Sequence, residues 1–141
     1  MNRLTVAAAV LAAATLTGCA PDTATGTSSI IERGSELYQA NCASCHGVDL
    51  AGSPDWKAPY EDGSYPPPPH DSSGHTWHHP DQVLTRIIRD GSDFPQSRMP
   101  AFGDQLDDED IEAILEFIKT SWGPQEKAYQ AQLTEQEEAQ P

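Results

Sequence analysis

Two thiols and an imidazole fall within five residues of this chain, in Cys42-Ala43-Ser44-Cys45-His46. Two cysteines three positions apart, followed directly by a histidine, form the c-type haem attachment pattern. The chemistry it serves is specific. The Cys42 and Cys45 sulfurs add to two vinyl groups along one porphyrin edge, and the next residue, His46, places its imidazole under the iron. Covalent attachment lets a small domain keep its cofactor in an oxidising compartment. Three rival uses are less well served. A thioredoxin-like pair belongs in a βαβ setting, and no run here alternates like a strand. A structural zinc site wants four ligands, usually from two such pairs, and there is one pair. A disulfide between Cys42 and Cys45 leaves His46 without a role.

A haem iron has a second axial position. The chain has two methionines, and Met1 is the initiator, so Met99 is the candidate thioether. It lies in Arg98-Met99-Pro100-Ala101-Phe102, 53 residues after His46. A methionine in such a loop can also be plain core filling. Paired with His46 it would raise the haem potential.

A second cluster of imidazoles competes for attention. His70, His75, His78 and His79 fall within ten residues, with Trp77 among them. Exposed imidazoles can bind Cu²⁺ or Zn²⁺, which would make the protein a haem-bearing copper or metal-binding module. The same histidines and Trp77 can instead hydrogen-bond haem propionates or nearby backbone, and one of them can stand in for Met99 as ligand. Arg98 is a further propionate candidate.

Three helices must position these groups. The first covers about Ile30 to Asn41, with Ile30, Gly34, Leu37 and Tyr38 recurring at helical spacing. The second runs from about Pro80 to Arg89, with Val83, Leu84, Ile87 and Ile88 as its stripe and Gly91 as its stop. The third starts at Asp107, a good N-cap, and its acidic first turn suits the helix dipole; that explains Asp107 to Asp110 better than a calcium loop does. Ile111, Ile114, Leu115 and Ile118 follow the i, i+3, i+4, i+7 rule. Gly123-Pro124 ends it. Residues 125–138 favour helix but offer few apolar anchors, so a loosely attached helix or a frayed tail is expected. Between Gly47 and His79 the chain is long, irregular and proline-rich, which in a compact domain signals function or a bound group.

The N-terminus reads as an address. Arg3 precedes a 13-residue apolar run, Leu4 to Leu16, too short for the roughly 20 residues of a spanning helix and typical of a secretory signal. Leu16-Thr17-Gly18-Cys19 resembles the bacterial lipobox, in which Cys19 becomes the lipidated N-terminus; an ordinary signal cleaved near Ala20 is the alternative. Residues 1–18 are thus expected to be a lipoprotein signal peptide, 19–29 a flexible tether, 30–122 the folded domain and 123–141 a C-terminal extension. Acyl chains would hold the protein on a bacterial membrane, periplasmic or at the outer cell surface, without spanning it.

Composition narrows the partners. The 141 residues carry 8 basic and 22 acidic side chains, a charge of −14, which becomes −15 without the leader. That excludes nucleic-acid backbones, which need clustered cations. It points to redox partners with cationic docking surfaces. The apolar fraction of 37% is low, so a cofactor is expected to fill the middle. With both axial positions filled the iron exchanges electrons and binds no substrate. No catalytic residue stands out, and an electron carrier, alone or within an oxidoreductase complex, is expected rather than an enzyme.

Gly34 and Tyr38 before the motif, the CASCHG run, Met99-Pro100 and the final IEAILEFIKTSW helix together resemble the class I cytochromes c over about residues 31–122. The resemblance implies an all-α fold of three or more helices and long loops around one covalently bound haem c. It implies His46 and Met99 as axial ligands, with Cys42 and Cys45 holding the haem. It further implies that the first and last helices cross near Gly34, that Tyr38 packs on Phe117 there, and that the ligand histidine donates its other ring nitrogen to a proline carbonyl. Pro54 looks like that acceptor, with Pro59 next. The His-rich stretch and the C-terminal extension depart from the simplest members.

Overall fold

A computed structural model describes residues 23–140. The signal peptide read over 1–18, the lipidation candidate Cys19 and the start of the tether lie outside the described residues. Among the described residues the structure is all-helical. Its order is α1 (Thr23–Asn41), α2 (Ala43–His46), a 3-10 turn (Thr76–His78), α3 (Asp81–Asp90), α4 (Asp108–Thr120) and α5 (Pro124–Glu138). None of these helices is long and apolar enough to cross a membrane.

The frame is the crossing of α1 and α4. An ideal Cβ on Gly34 would lie 1.8 Å from the Ala113 carbonyl oxygen and 2.5 Å from its carbon. Only glycine lets the two backbones approach this closely. Around the contact, Ile111, Ile114 and Ile118 of α4 are almost completely buried, and so is Tyr38 of α1. The Tyr38 and Phe117 rings pack with centroids 5.4 Å apart, as the resemblance implied. The Asp107 carboxylate accepts from Asp110 N–H at 2.9 Å, so the expected N-cap is in place.

Helix α1 starts earlier than expected. Thr23 to Ser29, read from composition as tether, continue the helix. Once a helix is nucleated on a packed turn, each further residue adds a backbone hydrogen bond without needing a core anchor. Ser29 Oγ donates to the Gly26 carbonyl within this stretch, at 2.8 Å.

The C-terminal segment also departs from expectation. Helix α5 docks on the 3-10 turn and on α3 rather than hanging loose. Its anchor is Gln130, only 3% exposed. The Gln130 amide donates to Asp81 Oδ1 at 2.7 Å, Thr134 Oγ1 at 3.2 Å and the His79 carbonyl at 3.4 Å. Thr134 Oγ1 accepts from Asp81 N–H at 3.1 Å, so α5 serves a first-turn donor of α3 that has no partner within its own helix. Asp81 Oδ2 accepts from Lys119 Nζ at 2.8 Å, which ties α4 into the same junction.

Candidate haem centre

The attachment motif forms one helical turn at the end of α1. Cys42 N–H donates to the Tyr38 carbonyl at 2.8 Å and His46 N–H to the Cys42 carbonyl at 2.9 Å. Asn41 Nδ2 takes the Leu37 carbonyl at 2.9 Å, a side-chain partner for a helix-end acceptor. Both thiols are free; Cys42 is buried and Cys45 exposed. Burial, and then the neighbouring Cys45, pushes the Cys42 thiol up to about 11, so at neutral pH it is held as the thiol.

His46 is buried, and its Nδ1 lies 2.9 Å from the Pro68 carbonyl oxygen. A carbonyl only accepts, so Nδ1 carries the proton and Nε2 keeps its lone pair for a metal. Burial lowers the His46 pKa, opposed by this hydrogen bond. The acceptor is therefore Pro68, not Pro54 or Pro59, both of which are exposed.

A short backbone zipper brings Pro68 to His46. Gly52 N–H donates to the His46 carbonyl at 2.8 Å, Ser53 N–H to Pro67 at 2.9 Å and His70 N–H to Leu50 at 2.8 Å. Gly52 has φ +62°, and a Cβ there would lie 2.5 Å from the Pro68 carbon, so glycine is required on both counts. The run Pro66 to Pro69 holds the clue that sequence reading passed over. Such a run has no N–H groups and favours an extended helix without internal hydrogen bonds, which leaves its carbonyls free to accept.

Met99 is half-buried and packs against the core cluster with Phe102 and Trp77. Its backbone is pinned: Met99 N–H donates to Ser97 Oγ at 3.1 Å, and its carbonyl accepts from Ser92 N–H at 3.3 Å.

The four loop histidines do not converge. His70 turns inward and stacks on His46, ring centroids 4.0 Å apart and planes 25° apart. His75 stacks on Trp56 at 5.2 Å and meets the edge of His79 at 5.6 Å. His78 packs against Trp77 at 3.7 Å and against Tyr129 of α5 at 6.0 Å. Among the described residues no group of three or more His, Cys, Asp or Glu side chains is placed to hold a metal ion. The four histidines considered for a second metal site, His70, His75, His78 and His79, are thus not gathered into one ligand group among the described residues, although His75 and His79 touch. Nor do His70 and His46 face each other across one metal: at metal–nitrogen bonds near 2 Å, opposed imidazoles have centroids about 6 Å apart.

Arg98 does not turn inward either. It pairs with Asp62 at the surface and lies over the Tyr60 ring, 5.2 Å from its centroid. Hydrogen bonds from the Ser64 side chain and backbone, then Arg98, hold the Asp62 carboxyl down at about 2.

The residues present fit a haem. Two free thiols and a metal-ready imidazole share one turn, and a thioether lines the core. Among the described residues, Trp77 Nε1, His75 Nδ1, His70 Nδ1 and Tyr38 Oη are buried without a partner. Buried polar atoms need a partner, and haem propionates would accept from an N–H such as that of Trp77.

Residues 30–118 match the family model described as cytochrome C oxidase, cbb3-type, subunit III. Comparisons with curated proteins and with solved structures give no match. The match spans well over half the chain and takes in the attachment turn, the proline run, Met99 and nearly all of α4. By that match and by its all-helical fold, the chain belongs to this family of class I, mono-haem c-type cytochromes, which bind haem c.

Proposed function

We propose that this protein carries single electrons between extracytoplasmic or membrane redox partners through a His/Met-ligated haem c. Membership of a c-type cytochrome family supports electron transfer, by a free carrier or by an oxidase subunit. The observation that carries the finer reading is His46, buried on the attachment turn with Nδ1 committed to Pro68 and Nε2 left for iron.

Haem c, when bound, supplies reversible one-electron exchange at iron. Cys42 and Cys45 would hold it covalently. His46 would provide a nitrogen ligand to the iron, with the Pro68 carbonyl fixing its tautomer and raising its basicity. Met99 would provide a thioether ligand, a pairing that favours the reduced state. Trp77 and His75 would offer hydrogen bonds to the propionates.

Cys19, outside the described residues, carries the lipid that anchors the protein to a bacterial membrane, on its periplasmic side or at the outer cell surface. The acidic excess selects a cationic docking face on the partner. Docking is then expected to slow as salt rises; a rate that ignores ionic strength refutes the charged-surface reading.

The test of the site is an optical spectrum of the haem-loaded protein, oxidised and reduced, beside Met99→Ala. A low-spin c-type spectrum whose weak Met–iron charge-transfer band disappears in the variant supports the assignment. A high-spin wild type, or a spectrum that the substitution leaves unchanged, removes Met99 from the iron.

A further inference from the structure

His70 has no role in attachment or ligation, yet it touches the proposed axial ligand more closely than any other ring does. Its face lies on that of His46, centroids 4.0 Å apart and planes 25° apart. The edge of Tyr38 backs it at 5.9 Å and 68°, and Tyr38 in turn packs on Phe117. An aromatic column thus runs from the α1–α4 crossing to the ligand ring.

The main chain of His70 is held on both sides. Its N–H donates to the Leu50 carbonyl at 2.8 Å. Its carbonyl accepts from Trp122 Nε1 at 2.8 Å and from Ser121 Oγ at 3.2 Å, both just past the end of α4. The ring is therefore held as a flat plate between His46 and Tyr38.

The Pro68 hydrogen bond fixes the tautomer and the mean orientation of the His46 ring. A single hydrogen bond bends easily, so it leaves the ring free to rock about that mean. A plate lying on its face removes that freedom. The plane of an axial imidazole decides how the iron d orbitals split and how unpaired spin spreads over the four pyrrole rings, so its orientation is directly readable.

We propose that His70 is a positioning residue that, backed by Tyr38 and Phe117, fixes the rotation of the His46 ring plane when that imidazole serves as an iron ligand. This rests on the reading that His46 ligates iron. It extends that reading from which atom binds to what holds the ring in place.

The test uses the haem-loaded full chain with His70→Phe and His70→Leu. The two replacements have broadly similar bulk, but only the first keeps a flat face. The readouts are the ferric electron paramagnetic resonance g values, the proton NMR shifts of the haem methyls and the reduction potential. His70→Phe is expected to keep the wild-type g values and methyl order. His70→Leu is expected to shift the g values, reorder the methyls and move the potential. Tyr38→Leu, which removes the backing ring and leaves His70 in place, should shift the same signals in the same sense by less; it carries the comparison if His70→Leu fails to retain haem. Wild-type signals in His70→Leu overturn the proposal, as do equal displacements in the Phe and Leu variants. Failure of the underlying reading looks different: His46→Ala would then keep the wild-type low-spin spectrum.

Discussion

Helices α1 and α5 reach the rest of the molecule by opposite means. Helix α1 meets α4 through a glycine pressed on a backbone carbonyl and through rings and isoleucines shut off from water, with the Arg33–Asp110 ion pair at the exposed edge of the contact. Helix α5 meets α3 and the 3-10 turn through one buried amide, a threonine hydroxyl and two histidine-flanked aromatic contacts. The buried part of the first contact is specified by shape and apolar area, and that of the second by satisfied hydrogen bonds. The contrast matters for function, because the first backs the column behind His46 and the second buttresses Trp77. Shape-based contacts tolerate pH and fail on added volume. Hydrogen-bonded contacts tolerate little loss of a donor and fail when a neighbour gains a proton.

The largest effect is expected at the crossing. Gly34→Ala gains about 1 kcal/mol of helix propensity. It also sets a methyl 1.8 Å from the Ala113 oxygen, where overpacking costs about 3 kcal/mol or more. The clash wins, and the denaturation midpoint of the haem-loaded variant, followed by absorbance, should fall steeply. A midpoint equal to wild type would mean that the helices do not cross here.

Breaking the other contact should cost less and act locally. Gln130→Leu leaves Asp81 Oδ1, Thr134 Oγ1 and the His79 carbonyl without their shared donor, a loss of about 1–3 kcal/mol. Hydrogen exchange should quicken throughout α5 and the Thr76–His78 turn while α1 and α4 keep their protection. Uniform quickening would show that the two contacts open together.

Acid should separate the two regions without any mutation. Burial, then the nearby His78, lowers the pKa of His79. A folded-state value below the unfolded value of about 6.5 means that the unfolded chain binds more protons. The stability this group contributes is present above about pH 6.5 and is lost as pH falls toward the folded value. Proteolysis of α5 should therefore speed up between pH 7 and pH 5, whereas the crossing, whose two helices contain no histidine, should hold. The smallest effect is expected from Asp107→Ala, which removes the α4 cap and should lower stability by about 1 kcal/mol without moving the haem spectrum.

The regions also differ in how readable they were. Ile111, Ile114, Leu115 and Ile118 announce α4 because a helix buried on one side repeats its apolar residues every 3.6 positions. The docking of α5 leaves no such trace. Its anchors are Gln130 and Thr134, and polar residues reveal a contact only when their partners are known. The same division runs through the haem centre. Cys42, Cys45 and His46 are adjacent in the chain, so their joint chemistry can be read locally. The acceptor for His46 lies 22 residues away, and Pro54, Pro59 and the Pro66–Pro69 run were all within plausible reach; Gly52 and the zipper decide for Pro68.

From the sequence alone came the attachment turn, the single thioether candidate, the three apolar helices and the acidic charge. Each is a local pattern or a property of composition, and neither needs the chain to fold back. Only the tertiary structure settled which carbonyl orients His46, that His70 stacks on it while the other loop histidines pack elsewhere, and how α5 is held. These are contacts between residues far apart in sequence. Which of several chemically equivalent partners meets is decided by the packing of the whole chain, since a buried polar group accepts whichever partner the fold delivers.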